Sequence, residues 1–382
     1  MLMRSFVDKT QNRMKENPLK KLEALGQSIW LDYIRCDLIT SGKLKLMIKE
    51  DGLRGMTSNP SIFEKAIAES NLYDKAISEI ALKEKNVQVI YETICLRDVQ
   101  NVADEFIPVY EKTKGKDGYV SLEVNPHLAH DTAGTIKEAR RLWASLDKPN
   151  VLIKVPATKE GLPAIRKLIS EGINVNVTLL FALDRYKEVA EAYIAGITDR
   201  INQGKPVDKI ASVASFFISR IDSVIDPREE DYIASVGEQA HFATNIRGQV
   251  AISSAKMAYK IYRELFETTE FLNLKAFPQR LLWASTSSKN PDYSDIKYVE
   301  ALIGPNTVNT IPLETLEAYR DHGEPKSLLK KNIDQASWVL SELSEIRIDL
   351  NKVTRKLEDE GIEKFIVAYD QLIKALIKKS AV

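Results

Sequence analysis

The chain has 382 residues, 44% hydrophobic and 28% charged, and its 54 Lys+Arg balance 54 Asp+Glu. Such a composition belongs to a globular protein with a large core. A net charge of zero excludes a strongly basic nucleic-acid surface or a polybasic membrane patch, so neither nucleic acid nor membrane is expected as a partner. The two cysteines, Cys36 and Cys95, make neither a disulfide framework nor a zinc site, and they suit a reducing compartment. Met1-Leu2-Met3-Arg4-Ser5 leads into a charged stretch from Lys9 to Lys21 and not into an apolar run, so a cytoplasmic protein is expected.

In chain order, the runs expected as strands are Ser28–Ile34, Leu53–Thr57, Tyr119–Val124, Val151–Val155, Val175–Phe181, Ile210–Phe216, Leu281–Ser285 and Val299–Ile303. Most are continuously apolar and not alternating, as in a parallel sheet covered by helices. Between them, Ala133–Ser145 follows Thr132 and carries Ile136, Ala139, Leu142 and Trp143 at helical spacing. Gly161–Ser170 and Leu183–Ile197 read as the next helices. The segment from Asp222 to Gln279 is expected to hold an irregular loop around Asp226-Pro227 and a long helix from Ile246 to Phe266. From about Pro325 to Lys379 the pattern is helical and charged.

Strand and helix alternating eight times fit a (β/α)8 TIM barrel of α/β class better than an open doubly wound sheet. No GxGxxG or GxxxxGK[ST] run follows any strand. The expected organisation is one barrel domain over residues 1–382, with about 325–382 as a C-terminal helical extension.

Polar residues inside apolar strands need a reason, because burying an unpaired charge is expensive. Val151, Leu152, Ile153 and Val155 surround Lys154. Desolvation disfavours a charged ammonium there, and a neutral amine is the nucleophile of Schiff-base chemistry. The alternative is a lysine that snorkels from an edge strand or pairs with a buried carboxylate for structure alone. Glu123 and Asp32 are carboxylates in similar settings and can divide acid and base roles. The alternatives are a charge partner for Lys154 and a helix cap.

Asn176 and Thr178 share one face of their strand, pointing either into the barrel or toward the helices. Thr57-Ser58-Asn59-Pro60-Ser61 ends a strand with small polar residues and a turn. Arg220 lies just beyond the sixth run, and Ala284-Ser285-Thr286-Ser287-Ser288-Lys289 offers hydroxyls, N–H groups and an ammonium where barrel enzymes often seat phosphate. Taken alone, that run is also an ordinary polar loop. His127, His130, His241 and His322 bring no HExxH and no cysteine cluster, so no metal and no cofactor are expected.

Taken together, Thr57-Ser58-Asn59-Pro60-Ser61, Ser121-Leu122-Glu123-Val124, Ile153-Lys154-Val155-Pro156-Ala157-Thr158, Gly172 to Phe181 and Trp283-Ala284-Ser285-Thr286 resemble the motifs of the transaldolase family, in order and at compatible spacing. The likeness runs from about Leu22 to Ile377 and suggests the longer bacterial branch. It implies a single barrel that passes a dihydroxyacetone unit between sugar phosphates in the non-oxidative pentose phosphate pathway, as monomer or homodimer.

The resemblance further implies that Lys154 forms the Schiff base and that Glu123 and Thr178 position a catalytic water. Asp32 would take the proton of the donor's C4 hydroxyl. Asn59, Asn176 and Ser215 would bind the dihydroxyacetone hydroxyls, and Arg220 and Ser285 the phosphate. Family members often carry an Arg where this chain has Ser287, and the nearest cation is Lys289. Lysine binds phosphate as a point charge, without the two-pronged fork of arginine.

Overall fold

The computed structural model describes residues 17–236 and 241–380. Eight parallel strands close into a barrel in chain order. They are β1 (Gln27–Asp32), β2 (Gly55–Thr57), β3 (Tyr119–Glu123), β4 (Val151–Pro156), β5 (Val175–Leu180), β6 (Ser212–Phe217), β7 (Arg280–Ala284) and β8 (Thr307–Ile311). The continuous apolar runs have the expected cause. All six residues of β4, β5 and β6 are buried, between the barrel interior on one face and helices on the other.

The last strand departs from expectation. Val299–Ile303 is the end of a short helix, Lys297–Ala301, and the turn after it. Its apolar side chains pack on the core as a helix face. β8 is instead Thr307-Val308-Asn309-Thr310-Ile311, introduced by Asn306 in the left-handed region at φ 58.

Residues paired across parallel strands face the same side, so register sorts the barrel interior into layers. Asp32 pairs with Thr57, Glu123 with Lys154, Lys154 with Asn176, Pro156 with Thr178, and Trp30 with Thr310. Asp32, Thr57, Lys154, Thr178 and Thr310 among them give the C-terminal end a polar lining. Two residues earlier the interior is bulky on β1 and β4, with Trp30 and Leu152. Trp30 needs Gly55 opposite it, where an added Cβ would sit 2.6 Å from the indole ring. Asn176 and Thr178 therefore point inward, which resolves their parity.

Among the helices, Thr132–Leu146 is capped by Asp131, whose carboxylate accepts from Gly134 N at 2.9 Å. Gly161–Glu171 and Leu183–Asn202 follow as expected. The irregular loop expected at Asp226-Pro227 is a helix, Ser219–Val236, which runs through Pro227. Asp226 is used in tertiary contacts instead, accepting from Gly248 N at 3.0 Å and from Tyr293 Oη at 2.7 Å. The long helix after it begins at Val250 and not at Ile246.

The C-terminal segment forms two helices, Ile333–Glu342 and Leu350–Ser380. The second lies along the Pro60–Ala68 helix and is tied to the turn that follows it through Lys379 Nζ, which donates to Ser70 O at 2.7 Å. Gly361 brings it close to β5, where an added Cβ would meet Leu179 Cδ2 at 3.0 Å. Phe365 thereby reaches the mouth of the barrel. Among the described residues no helix is long and apolar enough to cross a membrane.

Candidate active site

The polar layer opens into a cleft of about 570 Å³ at the C-terminal end of the strands, where barrel enzymes build their sites. Lys154 Nζ donates to Ser58 O at 2.9 Å and lies 3.5 Å from Glu123 Oε2. Both side chains are 6% exposed. The ring of Phe365 lies 6.0 Å from the ammonium and shields it. Burial pushes the Glu123 carboxyl up to about 7, against the pull of Lys154. Glu123 Oε2 and Thr178 Oγ1 are buried without a hydrogen-bond partner among the described residues.

Thr178 owes its aim to a bulge. Three steps along β5 from Val177 to Leu180 match two on β6, and Leu179 takes φ 57. On the opposite wall Asp32 accepts from Thr57 Oγ1 at 2.7 Å, and Thr57 Oγ1 lies 2.7 Å from Thr310 Oγ1. Burial raises the Asp32 carboxyl above the usual range, while Lys154 and the Thr57 hydrogen bond oppose the rise.

Asn176 is wholly buried. It donates to Ser121 Oγ at 3.0 Å and accepts from Ser215 Oγ at 2.7 Å. Both ends of its amide are engaged, and Ser215, not Asn176, lines the cleft. Asn59 also lines it, and its Oδ1 caps the Pro60–Ala68 helix by accepting from Ile62 N at 3.1 Å.

At the far side of the cleft lie Arg220, Ser285, Ser287 and Lys289. Arg220 sits 5.6 Å above the ring of Phe217, and burial lowers its pKa. Lys289 donates to Ser287 Oγ at 2.7 Å, and burial together with nearby Arg220 lowers its pKa. Ser285 takes φ 55, and its carbonyl accepts from Ser219 N at 3.0 Å. All ten residues singled out in the sequence meet at this end of the barrel.

The sequence reading missed the Ser58 carbonyl, Thr310 and Phe365, and the cations Arg35 and Lys65 at the rim. Arg35 is held by Asp37 at 3.1 and 2.9 Å. Thr310 was hidden by the misplaced eighth strand. Phe365 lay in a run already legible as helix, but helical spacing alone does not say what a helix covers. His127 and His130 do not converge: the first meets Asp370 at 2.9 Å and the second Glu160 at 3.2 Å. The His241 side chain lies outside the described residues.

Chemically, a shielded amine beside a carboxyl that titrates near neutrality, with an unpartnered hydroxyl nearby and cations across the cleft, can form an imine with the carbonyl of a phosphorylated sugar. The family model described as "Transaldolase/Fructose-6-phosphate aldolase" matches residues 29–376. A protein named "Transaldolase" from Trichodesmium erythraeum is 47% identical over 373 residues, 96% of this chain and 98% of its own. One of the same name from Thiobacillus denitrificans is 44% identical over 360 residues, 94% of this chain and 99% of its own. "Transaldolase 2" of Nostoc sp. is 43% identical over 371 residues, 95% of this chain and 97% of its own. The chain belongs to the transaldolase/fructose-6-phosphate aldolase family.

Proposed function

We propose that the chain is a transaldolase in which Lys154 forms an imine with a ketose phosphate donor, releases an aldose phosphate and passes the retained dihydroxyacetone unit to a second aldose phosphate. Donors would be sedoheptulose 7-phosphate or fructose 6-phosphate, and acceptors glyceraldehyde 3-phosphate or erythrose 4-phosphate, as in the non-oxidative pentose phosphate pathway. The observation that carries this reading is Lys154 Nζ, buried, 3.5 Å from a Glu123 carboxyl that titrates near 7.

Glu123, with Thr178, moves protons to and from the C2 oxygen as the imine forms and hydrolyses. Asp32, held by Thr57, takes the proton of the C4 hydroxyl when C3–C4 breaks. Asn59 and Ser215 meet hydroxyls of the dihydroxyacetone unit, and Asn176 orients Ser215. Arg220, Ser285 and Lys289 receive the phosphate. The chain works as one barrel unit in the cytoplasm, with its last helix as a roof over the amine. Its two free thiols accord with that compartment.

The test is an assay of fructose 6-phosphate with and without erythrose 4-phosphate. Sedoheptulose 7-phosphate should form only with the acceptor present. Steady release of dihydroxyacetone without it would make the protein an aldolase.

A further inference from the structure

A second cavity, of about 180 Å³, lies behind the amine. Its inner end is lined by Glu123, Ser58 and Asn59, and its walls include Tyr91, Cys95 and Leu142. At its outer rim Gln88 and Arg141 are exposed. The cleft and this cavity share Asn59, but Lys154 lines only the cleft and Glu123 only the cavity. The Lys154–Glu123 contact and the Lys154–Ser58 hydrogen bond therefore form the partition between them.

Glu123 Oε2 is a buried oxygen that meets Lys154 Nζ as an ion pair at 3.5 Å but has no hydrogen-bond partner among the described residues. Such an oxygen costs ~1–3 kcal/mol unless water or a reaction uses it. The cavity far exceeds the ~10–15 Å³ one water needs, and polar groups run its length.

We propose that this cavity is the water port of the reaction, carrying water between solvent and Glu123 while the sugar phosphate fills the cleft. The inference rests on the imine reading of Lys154. When the carbinolamine dehydrates, the C2–O bond breaks, the donor's C2 oxygen takes a proton from Glu123, and one water leaves. After transfer, one water gives its oxygen to C2 and a proton to Glu123. Glu123 returns that proton to the lysine nitrogen, and as the C2–N bond breaks the C2 hydroxyl yields its remaining proton to Glu123, leaving a ketone, a free amine and a protonated Glu123. Both waters pass on the Glu123 side, so the first departs and the second arrives without displacing the bound chain.

The experiment follows the oxygen. Fructose 6-phosphate labelled with ¹⁸O at C2 is turned over with erythrose 4-phosphate in ordinary water, and the sedoheptulose 7-phosphate formed early is analysed by mass spectrometry. The wild-type protein should give product without label. Cys95→Leu and Leu142→Phe add apolar bulk to different walls of the cavity. Each should lower kcat by about tenfold, less than the ~10²–10⁴ that losing acid–base catalysis costs. KM should stay within about twofold, and a measurable share of the ¹⁸O should be retained in the product, because the released water is trapped and reused.

Borohydride trapping with fructose 6-phosphate separates the two levels of the inference. Adduct at wild-type stoichiometry in a plugged variant shows that the imine still forms and the fold persists. With that adduct present, unchanged label loss in both variants would overturn the port, whether or not kcat falls. Label retained by the wild-type protein would overturn it as well. No adduct in the wild-type protein would overturn the imine reading and the port together.

Discussion

At the N-terminal end of the barrel Asp117 accepts from Trp30 Nε1 at 2.8 Å and from Ser28 Oγ, and it pairs with Arg280 at 3.4 Å. The guanidinium also donates to Ser28 Oγ and to Lys116 O, both at 2.9 Å. At the C-terminal end Glu123 Oε2 meets Lys154 Nζ only as an ion pair at 3.5 Å and has no hydrogen-bond partner among the described residues, and the Thr178 hydroxyl on β5 has none either. Each end buries an acid with a base. The lower pair spends its hydrogen-bonding capacity internally and closes the barrel. The upper one keeps part of its capacity in reserve, at a cost in stability that a structural pair would not bear. A charged pair in a barrel is thus read by what remains unsatisfied around it.

The comparison breaks most sharply at Glu123. Glu123→Gln should lower kcat by ~10²–10⁴. The wild-type kcat/KM profile should show an inflection near pH 7 from Glu123, and the variant should lack it. The substitution also removes a pH slope in stability. Between the ordinary carboxyl value of 4.5 and about 7, the folded chain holds a proton that the unfolded chain releases. The wild-type protein therefore loses stability as pH rises through that window, and chemical denaturation of the variant should show a flatter dependence.

Thr178→Val comes next. Steady-state kinetics should show kcat down by about tenfold, a partial loss of proton-transfer efficiency. Denaturation should show stability unchanged or raised, since the lost hydroxyl has no partner among the described residues. Asp117→Ala reverses the pattern. It leaves Arg280 uncompensated and should cost ~3–5 kcal/mol in stability, while the folded fraction keeps wild-type kcat. A kinetic defect of the Glu123 size from Asp117→Ala would erase the distinction between the two ends.

Much of this was legible in the sequence because burial leaves a strong imprint. Lys154 stood out among Val151, Leu152, Ile153 and Val155, and the same contrast exposed Glu123 and Asp32. β8 was not legible: Thr307-Val308-Asn309-Thr310-Ile311 is short and half polar, since it faces the polar layer, whereas the neighbouring Leu302-Ile303 looked more like a buried strand. Pro227 read as a break, yet helix Ser219–Val236 continues through it, with the neighbouring Asp226 carboxylate accepting from Gly248 N and Tyr293 Oη. The inner role of Asn176 needed three dimensions, for its partners Ser121 and Ser215 lie on two other strands. The cavity behind Glu123 had no sequence signal, because it is a gap between elements.

Everything proposed for the upper end depends on an imine at Lys154. The measurement is borohydride reduction of the protein with fructose 6-phosphate, followed by peptide mass mapping. The expected result is one dihydroxyacetone-derived adduct, on Lys154, absent from Lys154→Ala and from Lys154→Arg, whose guanidinium stays protonated. An adduct that persists in Lys154→Ala, or turnover retained by a folded Lys154→Arg, would contradict it.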